Sequence, residues 1–225
     1  MCRSKDSCSE LGINPNHWNI NCPLPTPNWF AEQIDIFESA VNFLISGDKE
    51  SCFKTLKQIR NEEITNWYTE HGQMSGRHRN LILKLPSIQN VDESLRDPIR
   101  TPKKIQDLVF ERDGYRCRYC ENKIISQEVI RLFIKKLDST LFQRGKTNLT
   151  THGIIHISWP VADHVIPWNK GGRTNLDNLV SSCATCNYGK DGYTIEQLGI
   201  QNPFNRNPKL DNWKGLNEKI AFLKM

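Results

Sequence analysis

The sequence predicts an α+β protein in which a helical N-terminal domain precedes a C-terminal domain that sets a strand among helices between two cysteine pairs. Three observations lead there. Phe30, Ile34, Phe37, Val41 and Leu44 recur at three- and four-residue intervals, the stripe of an amphipathic helix. Residues 154–159, IIHISW, form a short apolar run that reads as a strand. Two cysteine pairs, Cys117-x2-Cys120 and Cys183-x2-Cys186, enclose that strand and the Asp163-His164 dipeptide. Four thiolates in such pairs suit tetrahedral Zn2+, because each short loop presents two sulfurs to one ion.

The elements follow in order. Residues 1–26 read as an irregular arm. Thr26 then caps a helix with Pro27 in its first turn, ending at Gly47. Asp48 caps a second helix that carries Phe53, Leu56, Ile64 and Trp67 and stops near Gly72. The basic run from His71 to Arg79 reads as a solvated loop. These parts make a helical domain over residues 1–84, and residues 85–100, with Pro86 and Pro98, form a linker. Thr101-Pro102 opens a helix that delivers the chain to Cys117. Residues 127–142 carry Val129, Ile130, Leu132, Phe133, Ile134, Leu137 and Leu141 and predict another helix. A last helix is expected from Asp211, with Trp213, Leu216, Ile220 and Leu223 on one face.

Bulk properties narrow the function classes. The 225 residues are 37% hydrophobic and 24% charged, a globular balance. No apolar run approaches the ~20 residues of a membrane span. The start MCRSKD leads into polar sequence without the apolar core of a secretory signal. A cytoplasmic, reducing setting is therefore expected, with thiols rather than disulfides. Charge is uneven: residues 1–112 hold 14 Lys+Arg against 15 Asp+Glu, and residues 113–225 hold 16 against 10. The surplus in the second half suits a polyanionic partner, although a surplus of that size is also ordinary surface. Cys2, Cys8, Cys22 and Cys52 lack paired spacing and read as ordinary thiols; a second metal site with His17 is the less favoured alternative.

The stretch from Val109 to Lys190 resembles the HNH endonucleases, the zinc-stapled branch of the ββα-metal nucleases. FERDGYRCRYC, residues 110–120, is similar to the family's opening knuckle, and Asp163-His164-Val165-Ile166-Pro167 to its catalytic strand. Gly171-Gly172 followed after five residues by Asn178-Leu179-Val180 resembles the central turn, and CATCNYGK, residues 183–190, the closing helix. Asn187 stands where the family commonly has His, making an H-N-N variant. Forty-two residues separate Cys120 from Asp163, more than the compact pattern, which implies an insertion at about 124–152 within a nuclease domain spanning 101–225.

That resemblance implies a site. His164 would be the general base, since a neutral imidazole accepts a proton at physiological pH. Asp163 and the Asn187 amide oxygen would hold Mg2+ or Mn2+, which prefer oxygen ligands. Successive side chains on a strand point to opposite faces, so Asp163 can bind a metal while His164 faces water. Asn178 would brace the loop through side-chain-to-backbone bonds, and Lys190, Arg173, Lys170 and Arg118 are candidate phosphate contacts, each of them also readable as plain surface. The activity implied is phosphodiester hydrolysis, of DNA in preference to RNA, in a restriction or phage-defence setting; toxin and mobile-element nucleases would look similar. The competing classes are a zinc-knuckle module that grips nucleic acid without cutting, and an RNA-cleaving effector licensed by a partner. Trp18, Trp29, Phe30, Trp67 and Tyr68 allow such a partner to dock on the N-terminal helices and equally allow a plain core.

Overall fold

The computed structural model describes residues 8–72 and 74–225; Cys2 and the polar start lie outside them. Helix α1 (Phe30–Ile45) buries Phe30, Ile34, Phe37, Val41 and Leu44 as its stripe requires. It starts a turn later than expected, because Pro27 and Asn28 form the preceding turn, with Phe30 N–H donating to Pro27 O. The second expected helix is two: α2 (Lys49–Leu56) and α3 (Asn61–His71). Asp48 caps α2, its Oδ1 accepting from Ser51 N–H at 2.9 Å.

Helix α4 (Met74–Leu83) occupies most of the stretch expected to be a solvated loop. Arg79 is fully buried there and donates to the carbonyls of Asn19, Cys22 and Leu198. A guanidinium with five donors can tie three segments together in this way. Residues 85–100 contain one 3-10 turn, Glu93–Leu95. Helices α5 (Lys103–Arg112) and α6 (Gln127–Leu137) follow. Asp138 takes a left-handed conformation that ends α6 before residue 142, and Phe142 turns back to stack on Phe37.

Residues 154–159 are not a strand. They lie largely in helix α7 (Gly153–Ser158), whose six residues are all buried. A short β-branched run buried on every side carries no periodicity to separate strand from helix. His152 and His156 belong to this packing. His156 stacks on Tyr68 at 4.0 Å, and burial pushes the His152 imidazole down to about 3.

Strand β1 (Pro160–His164) pairs antiparallel with β2 (Leu179–Cys183), placing Pro160 opposite Cys183 and Asp163 opposite Val180. Helix α8 (Ala184–Lys190) leaves β2 directly, and α9 (Ile195–Leu198) follows. The helix expected from Asp211 shrinks to α10 (Ile220–Lys224). Trp213 and Leu216 are buried as expected, but Gly215 and Leu216 both have positive φ and interrupt the helix.

One hydrophobic core runs from Cys22 to Leu223 and joins the N-terminal helices to the hairpin region. Phe37 of α1 meets Phe133 of α6 and Phe142. Trp18, Phe30, Trp67 and Tyr68 are buried and Trp29 packs half-buried against the core, so these aromatics serve the core. No described helix is long and apolar enough to cross a membrane.

Candidate active site and metal centre

The four paired cysteines converge. The Sγ atoms of Cys117, Cys120, Cys183 and Cys186 all lie within 4.8 Å of one another. Cys120 and Cys183 are 3.8 Å apart, and a tetrahedron of Zn–S bonds near 2.3 Å requires sulfurs about 3.8 Å apart. The donor set and its spacing therefore fit a tetrahedral metal ion.

Local structure explains the convergence. After α5 the chain reverses through Gly114 and Tyr115, both at positive φ. Cys117 N–H donates to Asn122 O, and Glu121 N–H to Cys117 O, closing a knuckle around the first pair. Arg118 N–H donates to Ser181 O at 2.8 Å and docks this knuckle on β2. The second pair sits where β2 becomes α8, and Cys183 Sγ accepts from Cys186 N–H at 3.4 Å. Hydrogen bonding to Cys117, ahead of burial, raises the thiols of Cys120, Cys183 and Cys186. A bound cation would displace those protons.

A fifth thiol was not legible as part of this centre. Cys22 Sγ lies 3.6 Å from Cys186 Sγ and 3.4 Å from Thr26 Oγ1. Its 164-residue separation from Cys186 leaves no local spacing to read.

Asp163 and His164 both lie on β1. Asp163 is buried; its Oδ2 accepts from Tyr119 Oη at 2.6 Å and lies 3.5 Å from Lys190 Nζ. Among the described residues its Oδ1 makes no hydrogen bond, so Oδ2 is the oxygen that these two partners hold. Asn187 lies on α8, half-buried, and the helix packs against both strands. An acidic oxygen with a neighbouring element carrying an amide oxygen suits a hard divalent cation by chemical type.

His164 is half-buried, and burial holds its imidazole below the ordinary value; the Lys190 charge adds to that lowering, while Asp163 and Asp97 oppose it. Its Nε2 lies 2.9 Å from Thr174 Oγ1. The Thr174 hydroxyl gives its single proton to Pro98 O at 3.0 Å. A hydroxyl that donates to Pro98 O can only accept from His164, and this bookkeeping assigns the ring proton to Nε2 and leaves Nδ1 as the acceptor nitrogen. Nδ1 has no partner among the described residues.

The loop from β1 to β2 is braced by Asn178. Its Oδ1 accepts from Ile166 N–H at 2.8 Å, while Nδ2 donates to Ile166 O and Arg173 O. Gly172 makes room for this bracing. A Cβ there would meet Ile166 O at 1.8 Å and Asn178 Nδ2 at 2.7 Å. Gly171, at φ +86, supplies the left-handed turn just before it.

The four basic candidates separate. Lys190 is buried, and its ammonium donates to His164 O at 2.7 Å. Arg118 is buried and donates to the carbonyls of Pro203 and Arg206. Neither presents its charge to a phosphate backbone, because each cation already serves an internal acceptor. Arg173 is exposed and pairs with Asp97 at 3.1 Å. Lys170 donates to Ile88 O and to Asn90 Oδ1 from the protein surface. Tyr119, Thr174 and Asp97 complete the surroundings of Asp163 and His164 and carry no motif that marks them in the sequence.

Neither curated proteins nor solved structures gave a match. The family comparison matched one segment, and it is the segment with this geometry: residues 160–191, holding β1, the braced loop, β2 and α8, match the model of the HNH endonuclease family.

Proposed function

We propose that the protein is a divalent-metal-dependent endonuclease that hydrolyses phosphodiester bonds, DNA in preference to RNA. The observation that carries the reading is the contact of His164: its Nε2 lies 2.9 Å from the Thr174 hydroxyl, which lies 3.0 Å from Pro98 O, an arrangement that assigns the ring proton to Nε2 and leaves Nδ1 as acceptor. That is what a general base needs in order to take a proton from an attacking water. Asp163, through Oδ1, and the Asn187 amide oxygen would hold Mg2+ or Mn2+. A cation bound there supplies charge neutralisation at the scissile phosphate and the leaving oxygen. Asn178 and Gly172 hold the loop that follows His164, so the base does not need to reorganise during reaction. Arg173, exposed, and Lys170, half-buried at the surface, are the two of the four candidate cations left to meet the phosphate backbone. The four-cysteine site would hold structural Zn2+ in a reducing cytoplasm. Restriction or phage defence suits a nuclease of this kind.

A second reading has one observation in its favour. Asp163 shares Oδ2 between Tyr119 and the Lys190 ammonium, as a purely structural buried carboxylate would. On that reading the zinc-stapled fold binds nucleic acid without cutting it. Incubation of the purified protein with supercoiled plasmid, linear duplex, single-stranded DNA and RNA decides, with Mg2+, Mn2+ or EDTA. Cation-dependent cleavage of DNA supports the nuclease. Cleavage of RNA alone moves the substrate, and retention on a filter without cleavage under any cation supports the binding module.

A further inference from the structure

Residues 85–100 do more than link the N-terminal helices to α5. They form a strap across the loop after β1. Val91 N–H donates to Asn169 O at 2.9 Å, and Trp168 Nε1–H donates to Asp97 O at 2.6 Å. The Arg96 guanidinium lies 4.6 Å above the Trp168 ring, a cation–π contact. Asp97 then grips the far end of the loop. Its Oδ2 accepts from Thr174 N–H at 2.9 Å, and its Oδ1 pairs with Arg173. The next residue, Pro98, offers the carbonyl that takes the Thr174 hydroxyl proton. Thr174 Oγ1 is left as an acceptor aimed at His164 Nε2, 2.9 Å away.

We propose that Thr174, oriented by Asp97 and Pro98 of the strap, is a positioning residue that fixes the tautomer and direction of the His164 ring. The proposal rests on the reading of His164 as the base. A neutral imidazole in water exchanges between two tautomers, only one of which presents Nδ1 as acceptor. The acceptor that selects that tautomer here is a side-chain hydroxyl, and the carbonyl that sets the hydroxyl's direction lies outside the 160–191 match. The strap is thus part of the working site, and a hairpin and helix without it would hold His164 in either tautomer.

The test compares the full-length wild type with Thr174→Val, which removes the hydroxyl at nearly constant shape, and Thr174→Ser, which keeps it. Thr174→Ala removes the same group with less bulk and serves if the valine variant does not fold. The first readout is the pair of 15N shifts of the His164 ring at pH 8, which report the tautomer without any turnover. The second is kcat and KM for nucleic-acid cleavage, with metal content and thermal stability as controls. The expected result is an Nε2–H tautomer in the wild type, mixed tautomers in Thr174→Val, and recovery in Thr174→Ser. Cleavage should follow, with kcat lower on the order of tenfold in the valine variant and KM unchanged. An Nδ1–H ring in the wild type, or a ring unaffected by loss of the hydroxyl, overturns the proposal. A serine variant that is folded yet fails to recover the tautomer overturns it too. If the ring behaves as expected and the wild type cleaves nothing, the positioning stands and the nuclease reading falls.

Discussion

The phenol of Tyr119 donates to Asp163 Oδ2 at 2.6 Å. Tyr119 lies between Cys117 and Cys120, so the knuckle that gathers two of the four sulfurs also holds the carboxylate beside His164. Burial, reinforced by Asp163, raises this phenol well above the ordinary tyrosine range, which keeps it a donor at any physiological pH. The relationship ties the cysteine centre to the candidate catalytic strand through one buried side chain.

Tyr119→Phe should therefore separate the two centres. It removes the donor and leaves Asp163 Oδ2 with the Lys190 ammonium alone. The expected cost is about 1–3 kcal/mol of stability for the loss of a buried hydrogen bond to a carboxylate, with metal content at the cysteines unchanged and cleavage reduced. Urea unfolding with metal analysis checks this, and unaltered stability would mean the bond contributes nothing.

Stripping the cysteine site should loosen the hairpin region. Metal bound to four thiolates contributes directly to folding, and the residues that close this site come from the knuckle and from the β2–α8 junction. A strong chelator, or Cys183→Ser, should lower the melting temperature and release about one equivalent of zinc. Fresh protein with no zinc and an unchanged melting temperature would contradict this assignment.

Lys190 and Arg173 should behave in opposite ways. Lys190→Met removes a buried ammonium that serves His164 O and Asp163, and truncating one partner of such a buried pair costs roughly 3–5 kcal/mol. Arg173→Ala removes an exposed cation and should leave stability within about 0.5 kcal/mol. The Arg173 variant should instead reduce the salt dependence of nucleic-acid binding, by about one ion in the slope. Thermal melts and binding isotherms at several salt concentrations distinguish the two; a stable Lys190→Met with a reduced salt slope would reverse the assignment.

Acid sensitivity should trace to His152. Its Nδ1 accepts from Ile154 N–H at 3.3 Å and its ring packs on Phe142 at 4.5 Å. Burial, followed by the charge of His156, depresses its pKa from 6.5 to about 3. The unfolded chain therefore binds the proton first. Stability from this group is fully present above pH 6.5 and is lost as pH falls from 6.5 toward 3, by on the order of 5 kcal/mol in all. His152→Phe should flatten that part of the stability–pH curve, measured by denaturant unfolding. A variant with the wild-type slope would place the acid sensitivity elsewhere.

What the sequence made legible was local. The α1 stripe, the Asp48 cap, the two cysteine pairs and the Gly171–Gly172 turn with Asn178 each depend on spacing within a few residues, and each has its structural counterpart. What stayed hidden depends on distant packing. Residues 154–159 read as a strand and fold as a helix, because burial on all sides erases the periodicity that distinguishes the two. Lys190, Arg118 and Arg79 carry charges that composition assigns to the surface, yet each is buried among carbonyls supplied by remote segments. Cys22 and Asp97 reach the two centres from the N-terminal arm and the strap, and no local pattern marks either.

The most direct test of the central claim is cleavage of supercoiled plasmid by the wild type and His164→Ala side by side, with added Mg2+ or Mn2+ and with EDTA. The account predicts nicking or linearisation that needs the cation and disappears in the folded, zinc-loaded variant. Cleavage by His164→Ala at the wild-type rate would contradict it.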